Sequence, residues 1–313
     1  MKKLFFKSFI YFVLILVLLE LIIRVFHLTK DYPVRIIDDF GVEKWKPNQS
    51  GFSVTGNRRQ NFSEFRINSS GFNSYREFTP SDDKKEIALV GDSFIEGFHQ
   101  DYNSSIGKKI ENTLKGIEVY EYGYAGYDLA DQFNLMHQYK KDFDYIDFVF
   151  IGIEFHTDLK RGKHKIIQDR MKLESPLYRN LRKIKLLTYM NSIGAVDALK
   201  KRFTQLISFR IKEKKNEKVN TKSSLKEMNL DYLSNFNELV KTYNFDKERF
   251  IFLLEEAQTP DAFINYLEKN NYKFIDLSQD LTKAKVPTTL IYDKHWNNHG
   301  RALVAKSIIE YLK

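Results

Sequence analysis

Short, unbroken apolar runs alternate with stretches of helical periodicity, and this alternation restricts the fold more than any other feature of the chain. From Glu86 the order is an apolar run (IALVGDS), a helix-like stretch at about 104–114, a run at 116–122, a helical stretch at 128–139 and the apolar run 146–153. The pattern resumes with a strand at 248–254, a helix at 260–270, a strand at 273–277 and a closing helix at about 297–311. Short strands separated by longer helices predict βαβ units around a parallel sheet. Segments such as FVFIGI and FIFLL, apolar at successive positions, are what strands buried on both faces require.

A second constraint sits at the N-terminus. Residues 9–26 read FIYFVLILVLLELIIRVF, apolar apart from Glu20 and Arg24. As a helix this run is roughly 27 Å long, close to the hydrocarbon thickness of a bilayer. Lys2, Lys3 and Lys7 precede it, so the positive-inside bias predicts a cytoplasmic N-terminus and an extracytoplasmic remainder. No small-x-small cleavage pattern follows the run (RVFHLTKDY), so a retained single-pass signal-anchor is expected rather than a removed signal peptide. Glu20 and Arg24, four apart near the outer end, are placed to pair or to snorkel. The predicted organisation is an anchor at 1–30, an irregular leader with short strands at 31–82, and an α/β domain at 83–313 interrupted by a basic insertion at about 160–228.

The insertion differs in character from the rest. Residues 160–222 hold 19 Lys/Arg against 5 Asp/Glu, a net +14, so with +9 for the whole chain the remainder sums to −5. Apolar residues at helical spacing (Ile184, Leu187, Met190, Ile193, Val196, Leu199) and no strand pattern predict helices. A basic face suits nucleic acid, anionic lipid head groups or an acidic polymer, or it is a solvated face without a partner. Export and the lack of a recognised nucleic-acid-binding pattern argue against the first. The absence of cysteine removes disulfides, thiolate metal sites and cysteine nucleophiles.

Two motifs carry chemistry. Gly91-Asp92-Ser93 ends the first strand of the predicted sheet, the edge where ligands bind in parallel α/β folds. A serine there presents its hydroxyl to the crevice, with backbone N–H groups beside a developing oxyanion. Asp293-Lys294-His295-Trp296-Asn297 precedes the closing helix and offers a base, His295, with an orienting carboxylate, Asp293. Asn297 or Asn298 would cap that helix. Glu96 and His99 follow the serine by three and six residues and would face the same crevice, where they either shape it or, the preferred expectation, lie on a helix surface; the tyrosines at 120, 122, 124 and 127 belong to the core or to a sugar-stacking rim. Nucleotide-binding glycine motifs are absent, and the His295/His299 spacing lacks the glutamate of a zinc-protease helix, so neither a cofactor nor a metal is expected.

Together these pieces resemble the SGNH (GDSL-type) hydrolase family. FRINSSGFNSYREF, IALVGDSFIEGF, VYEYGYAGYDLADQ and DFVFIGIEFHTDL follow the block order of its membrane-anchored members, over roughly 65–158 and 248–312. The resemblance implies a three-layer α/β/α sandwich with a parallel, flavodoxin-like sheet of about five strands. It implies Ser93 as nucleophile and oxyanion donor, Gly126 as a second donor, His295 as base and Asp293 as its carboxylate. Two departures stand out. The third block has no Asn, and Thr157 or His156 takes its place; loss of one donor costs about 10²- to 10³-fold in rate. The last block reads D-x-H-W-N rather than D-x-x-H, a form found in relatives acting on O-acetyl groups of exopolysaccharides. The resemblance therefore implies a serine esterase removing O-acyl, above all O-acetyl, groups from a cell-envelope or exported glycan. An O-acyltransferase using the same acyl-serine, and a glycan-binding or assembly protein of low activity, are the alternatives.

Overall fold

The computed structural model describes residues 1–56, 59–197 and 221–313, with side chains beyond the backbone for all of these except 221–228. The part of the basic insertion at 198–220, with Leu199, lies outside the described residues. The chain forms two compact units, one containing Pro33–Ser50, Glu64–Ile167 and the C-terminal segment, the other containing Met1–Tyr32, Gly51–Ser63 and the segment from Gln168.

The larger unit is built on a parallel sheet. An antiparallel pair, β1 (Arg35–Ile37) and β2 (Glu43–Trp45), comes first. After β3 (Ser50–Thr55) and β4 (Asn61–Arg66) come β5 (Lys85–Gly91), β6 (Ile117–Gly123), β7 (Phe148–Gly152), β8 (Phe250–Leu254) and β9 (Lys273–Asp276). The last five lie in the order β6-β5-β7-β8-β9 with every pairing parallel. The chain leaves β5 toward one edge and returns past it to β7, so the switch point of the topology is the carboxyl end of β5.

Alternation along β5 sends its side chains to opposite faces. Ile87 and Leu89 pack with Ile106 and Ile110 of the helix Ile106–Thr113 and with Val304, Ala305 and Ile308 of the closing helix Asn298–Leu312. Ala88 and Val90 face Leu129 and Phe133 of the helix Leu129–Gln138, Phe236 and Leu239 of Thr221–Thr242, and Phe263 and Leu267 of Asp261–Lys269. These are the expected three layers. Polar residues start two of the helices: Ser105 accepts the N–H of Lys108, and Asp128 and Asp131 form a reciprocal capping box. The segment upstream of the sheet contributes to the second face, where Val42, Trp45, Phe65, Ile67 and Phe72 are buried with the tyrosines of β6 and its following turn. Those tyrosines are therefore core residues; Tyr124 is fully buried and its hydroxyl donates to Glu43 at 2.7 Å.

In the smaller unit the helix Lys2–Val25 is long and apolar enough to cross a membrane, and nearly all of its apolar side chains are exposed. The described start of the basic insertion is helical, as its spacing predicts: Gln168–Lys172, Pro176–Lys183 and Lys185–Ser192. Glu20 and Arg24 do pair, at 2.6 Å, but they also bind that insertion. The Glu20 carboxylate accepts the N–H groups of Lys185 (3.0 Å) and Leu186 (2.6 Å), and Arg24 donates to the carbonyl of Lys183 at 2.5 Å.

Candidate active site

Ser93 opens a single helical turn, Ser93–Glu96, directly after β5. Asp92 accepts the N–H of Phe94 through its side chain, and Gly97, at φ +69°, ends the turn in a left-handed conformation. A Cβ at Gly97 would also lie 2.6 Å from the guanidinium of the buried Arg301. The turn sits unusually close to the neighbouring strand. A Cβ on Gly123, the last residue of β6, would lie 2.0 Å from the backbone nitrogen of Glu96, so only glycine permits this approach.

The chain after β6 is fixed to the same elbow. Tyr124 N–H donates to the Gly91 carbonyl at 3.1 Å, and Tyr127 N–H closes a tight turn on the Tyr124 carbonyl at 3.0 Å. Gly126 occupies the third position of that turn at φ +90°, which a type II turn requires and which favours glycine. Glu96, expected on a helix surface, is instead buried. Its Oε1 accepts from Trp45 Nε1 at 2.7 Å and from Ala125 N–H at 3.1 Å, tying the turn that carries Gly126 to the turn that carries Ser93. Burial pushes this carboxyl up to about 7 despite those two donors.

His295 arrives on a loop held by Asn297. Its Oδ1 caps the closing helix by accepting from His299 and Gly300 N–H, while its Nδ2 donates to the carbonyls of Pro287 and Thr289. Leu290 N–H donates to the His295 carbonyl at 2.9 Å, and Thr289 and Trp296 form an antiparallel bridge. His295 then meets Ser93, with Nε2 and Oγ 2.7 Å apart across 202 residues of sequence. Its Nδ1 lies 3.2 Å from Asp293 Oδ1, which also accepts the His295 backbone N–H at 3.0 Å. An ionised carboxylate only accepts, so Nδ1 carries the proton; Nε2 of the neutral ring is then the acceptor, and the serine hydroxyl donates to it. Phe94 lies against the imidazole, with ring centroids 4.8 Å apart.

His99 is the second residue preferred for a helix surface that instead enters the site. Its Nε2 lies 3.2 Å from Asp293 Oδ2, and its ring stacks on that of His295 at 4.1 Å and 20°. Each oxygen of Asp293 thus holds one imidazole. His99, Asp293 and His295 place three potential metal-ligand atoms within 4.8 Å of one another. The ring geometry opposes a shared ion. Imidazole binds a metal in its own plane at about 2.0–2.1 Å, and two nearly parallel planes stacked face to face do not converge on one point at that distance.

The segment that follows β7 is acidic. Burial raises Asp92, with the charge of Glu154 adding to the effect and His295 opposing it. Burial pushes Asp158 up to about 8 even though its Oδ2 accepts the Glu154 N–H. Thr157 is exposed, and its hydroxyl faces Asp158 Oδ1 at 2.9 Å and the Glu154 carbonyl at 3.3 Å, with no hydrogen bond to Ser93 or His295.

No family model matches the sequence, and no curated protein matches it either. Solved structures do show similarity at low identity. A member of the lipolytic protein G-D-S-L family from Veillonella parvula is 13% identical, with 72% of this chain and 97% of that chain covered and a TM-score of 0.38. A lipase/acylhydrolase from Enterococcus faecalis is 11% identical, covering 73% and 95%, at a TM-score of 0.39. An acetylxylan esterase from Geobacillus stearothermophilus, solved as a catalytic mutant, is 14% identical, covering 75% and 95%, at 0.36. Similarity at this level does not carry a residue's role or an activity from one protein to another.

Proposed function

We propose that the protein is a serine esterase that removes small O-acyl groups, acetyl above all, from a glycan outside the cytoplasm. The observation that carries this reading is the 2.7 Å contact of His295 Nε2 with Ser93 Oγ, with Asp293 on the other ring nitrogen. His295 takes the Ser93 proton as Oγ attacks the acyl carbonyl, and the imidazolium is balanced by Asp293. The oxyanion is met by the N–H groups of Ser93 and Gly126, both held by backbone turns. Collapse returns the proton to the departing sugar oxygen. Water, deprotonated by the same histidine, then releases the acid and restores the serine. The glycan preference follows from the D-x-H-W-N sequence and from an extracytoplasmic site.

His99 completes the arrangement as a positioning residue. In D-x-H the carboxylate and the imidazole share one short loop, and a donor from a different segment holds the second oxygen of Asp293 in place. The helix Lys2–Val25 is read as a retained single-pass anchor with the domain that follows outside the cytoplasm. Its contacts support retention, because removing it would strip Lys185 and Leu186 of the carboxylate that receives their N–H groups.

Ser93→Ala is the direct test. It should abolish p-nitrophenyl acetate hydrolysis and fluorophosphonate labelling with an unchanged thermal midpoint. Turnover retained in that variant would refute the esterase reading. Oligosaccharide added to the acylated wild type separates hydrolysis from transfer to a sugar hydroxyl.

A further inference from the structure

The smaller unit contains a surface that the esterase chemistry does not use. Leu173, Leu177, Leu181 and Ile184 follow one another at helical spacing along and beside the helix Pro176–Lys183, and each is exposed, Leu177 by 68%. Tyr178 and Leu187 extend the stripe. Around it the sequence from 168 to 192 places Arg170, Lys172, Arg179, Arg182, Lys183 and Lys185 against Asp169 and Glu174. A helix with a strongly apolar face and a basic polar face suits the plane of a membrane interface.

What covers the stripe follows from how these helices are attached. The helix Lys185–Ser192 begins on Glu20, and the Lys183 carbonyl receives Arg24, so both helices are fixed to the last turns of the apolar N-terminal helix. Lys185 Nζ to Asp31 at 2.5 Å and the Arg182 guanidinium over the Tyr32 ring at 4.9 Å repeat the attachment just beyond that helix. Glu20 lies five residues before Val25, which is roughly 7–8 Å of helix rise. That matches the depth of about 5–10 Å at which interfacial helices seat their apolar face. It also gives the acidic residue inside an apolar run a purpose, since the carboxylate is paired and hydrogen-bonded where it would otherwise be costly.

We infer that the helices Pro176–Lys183 and Lys185–Ser192 form a collar lying in the outer leaflet interface around the membrane anchor, with the leucine stripe among the acyl chains and the arginines and lysines among anionic head groups. The inference rests on the anchor reading of Lys2–Val25. Because the anchor already holds the collar at the surface, weak intrinsic affinity is sufficient.

The chain has no cysteine, so single probes can be placed without background. Full-length Leu181→Cys, Val13→Cys and Lys141→Cys proteins, each carrying an environment-sensitive fluorophore, are reconstituted into phosphatidylcholine vesicles with or without phosphatidylglycerol. Lipids bearing a quencher at a shallow or a deep acyl position report depth. The Leu181 probe should be quenched at least about twofold more by the shallow than by the deep quencher, and more strongly with phosphatidylglycerol present. The Val13 probe should respond to the deep quencher and the Lys141 probe to neither. A Leu181 probe that behaves like the Lys141 probe, while Val13 is quenched, overturns the collar. A Val13 probe untouched by the deep quencher removes the anchor, and the collar with it.

Discussion

The two halves of the site are built by different means. Ser93, Gly126 and Glu96 are set by the sheet: they follow β5 and β6 at the switch point, and a buried carboxylate and two glycines lock their turns together. Asp293 and His295 sit instead on a loop with partly exposed side chains, shaped by hydrogen bonds from Asn297 and by contact with His99. A hydroxyl and two N–H donors need fixed backbone, which strand ends provide. An imidazole that takes and returns a proton needs orientation, which a carboxylate and a stacked ring provide. Damage to the packing that holds the turns of the first half should therefore appear as instability, and damage to the second half as lost turnover.

The largest effect is expected at Gly123. A methyl group there meets backbone, 2.0 Å from Glu96 N and 2.4 Å from the Ile95 carbonyl carbon, so no side-chain rotation relieves it. Gly123→Ala should lower stability by about 3 kcal/mol or more and displace Ser93. Thermal melting and fluorophosphonate labelling should fall together. A variant that melts like the wild type would show that the Ser93 turn and the end of β6 separate at little cost.

Asn297→Ala is its counterpart in the second half. It removes the cap of the closing helix and both side-chain bonds to the carbonyls of residues 287 and 289. The cap is worth about 1 kcal/mol, a modest drop in melting temperature, but kcat should fall by about tenfold or more because a small misplacement of His295 is costly. His99 tests the same half more finely. His99→Leu should lower kcat with little change in KM, and His99→Gln, which keeps an N–H donor, should recover part of it. Equal losses in both variants would reduce His99 to packing.

Much of this was readable in the sequence. The strands fell where short apolar runs lie between turn signals, and the closing helix begins one residue after the asparagine that caps it. Ser93 and His295 were readable because each stands at the junction of two patterns, a strand ending in G-D-S and a helix preceded by D-x-H-W-N. For Glu96 and His99, nearness to the serine and its crevice was readable, but not the contacts they make. Their roles depend on partners 51 and about 200 positions away, Trp45 and Asp293, and on a core that includes residues from the irregular segment upstream. No local periodicity announces a glutamate buried against a tryptophan from another element.

Acidity offers a smaller effect on the first half. Burial raises Glu96 to about 7 and Asp158 to about 8, above the ordinary carboxylate values of 4.5 and 3.8. Between the ordinary and raised values the folded protein holds protons that the unfolded chain has released, so stability is present at the acid end and is lost as pH rises through 7 and 8. The melting temperature should decline from pH 5.5 to 8.5, and Glu96→Gln, neutral throughout, should flatten part of that slope. An unchanged slope would show Glu96 to be ionised in the fold.

The smallest effect is expected at Thr157, where it also decides most about mechanism. If its hydroxyl served as an oxyanion donor, Thr157→Val would cost about 10²- to 10³-fold in kcat. In the structure that hydroxyl faces Asp158 and the Glu154 carbonyl, so the valine variant should stay within about threefold of wild type. A near-neutral result would leave the transition state to backbone donors of the sheet-built half alone, with the side-chain half confined to moving the proton. A hundredfold loss would instead mean that the 154–158 turn rearranges when substrate binds, and that the rigidity ascribed to this half stops at β6.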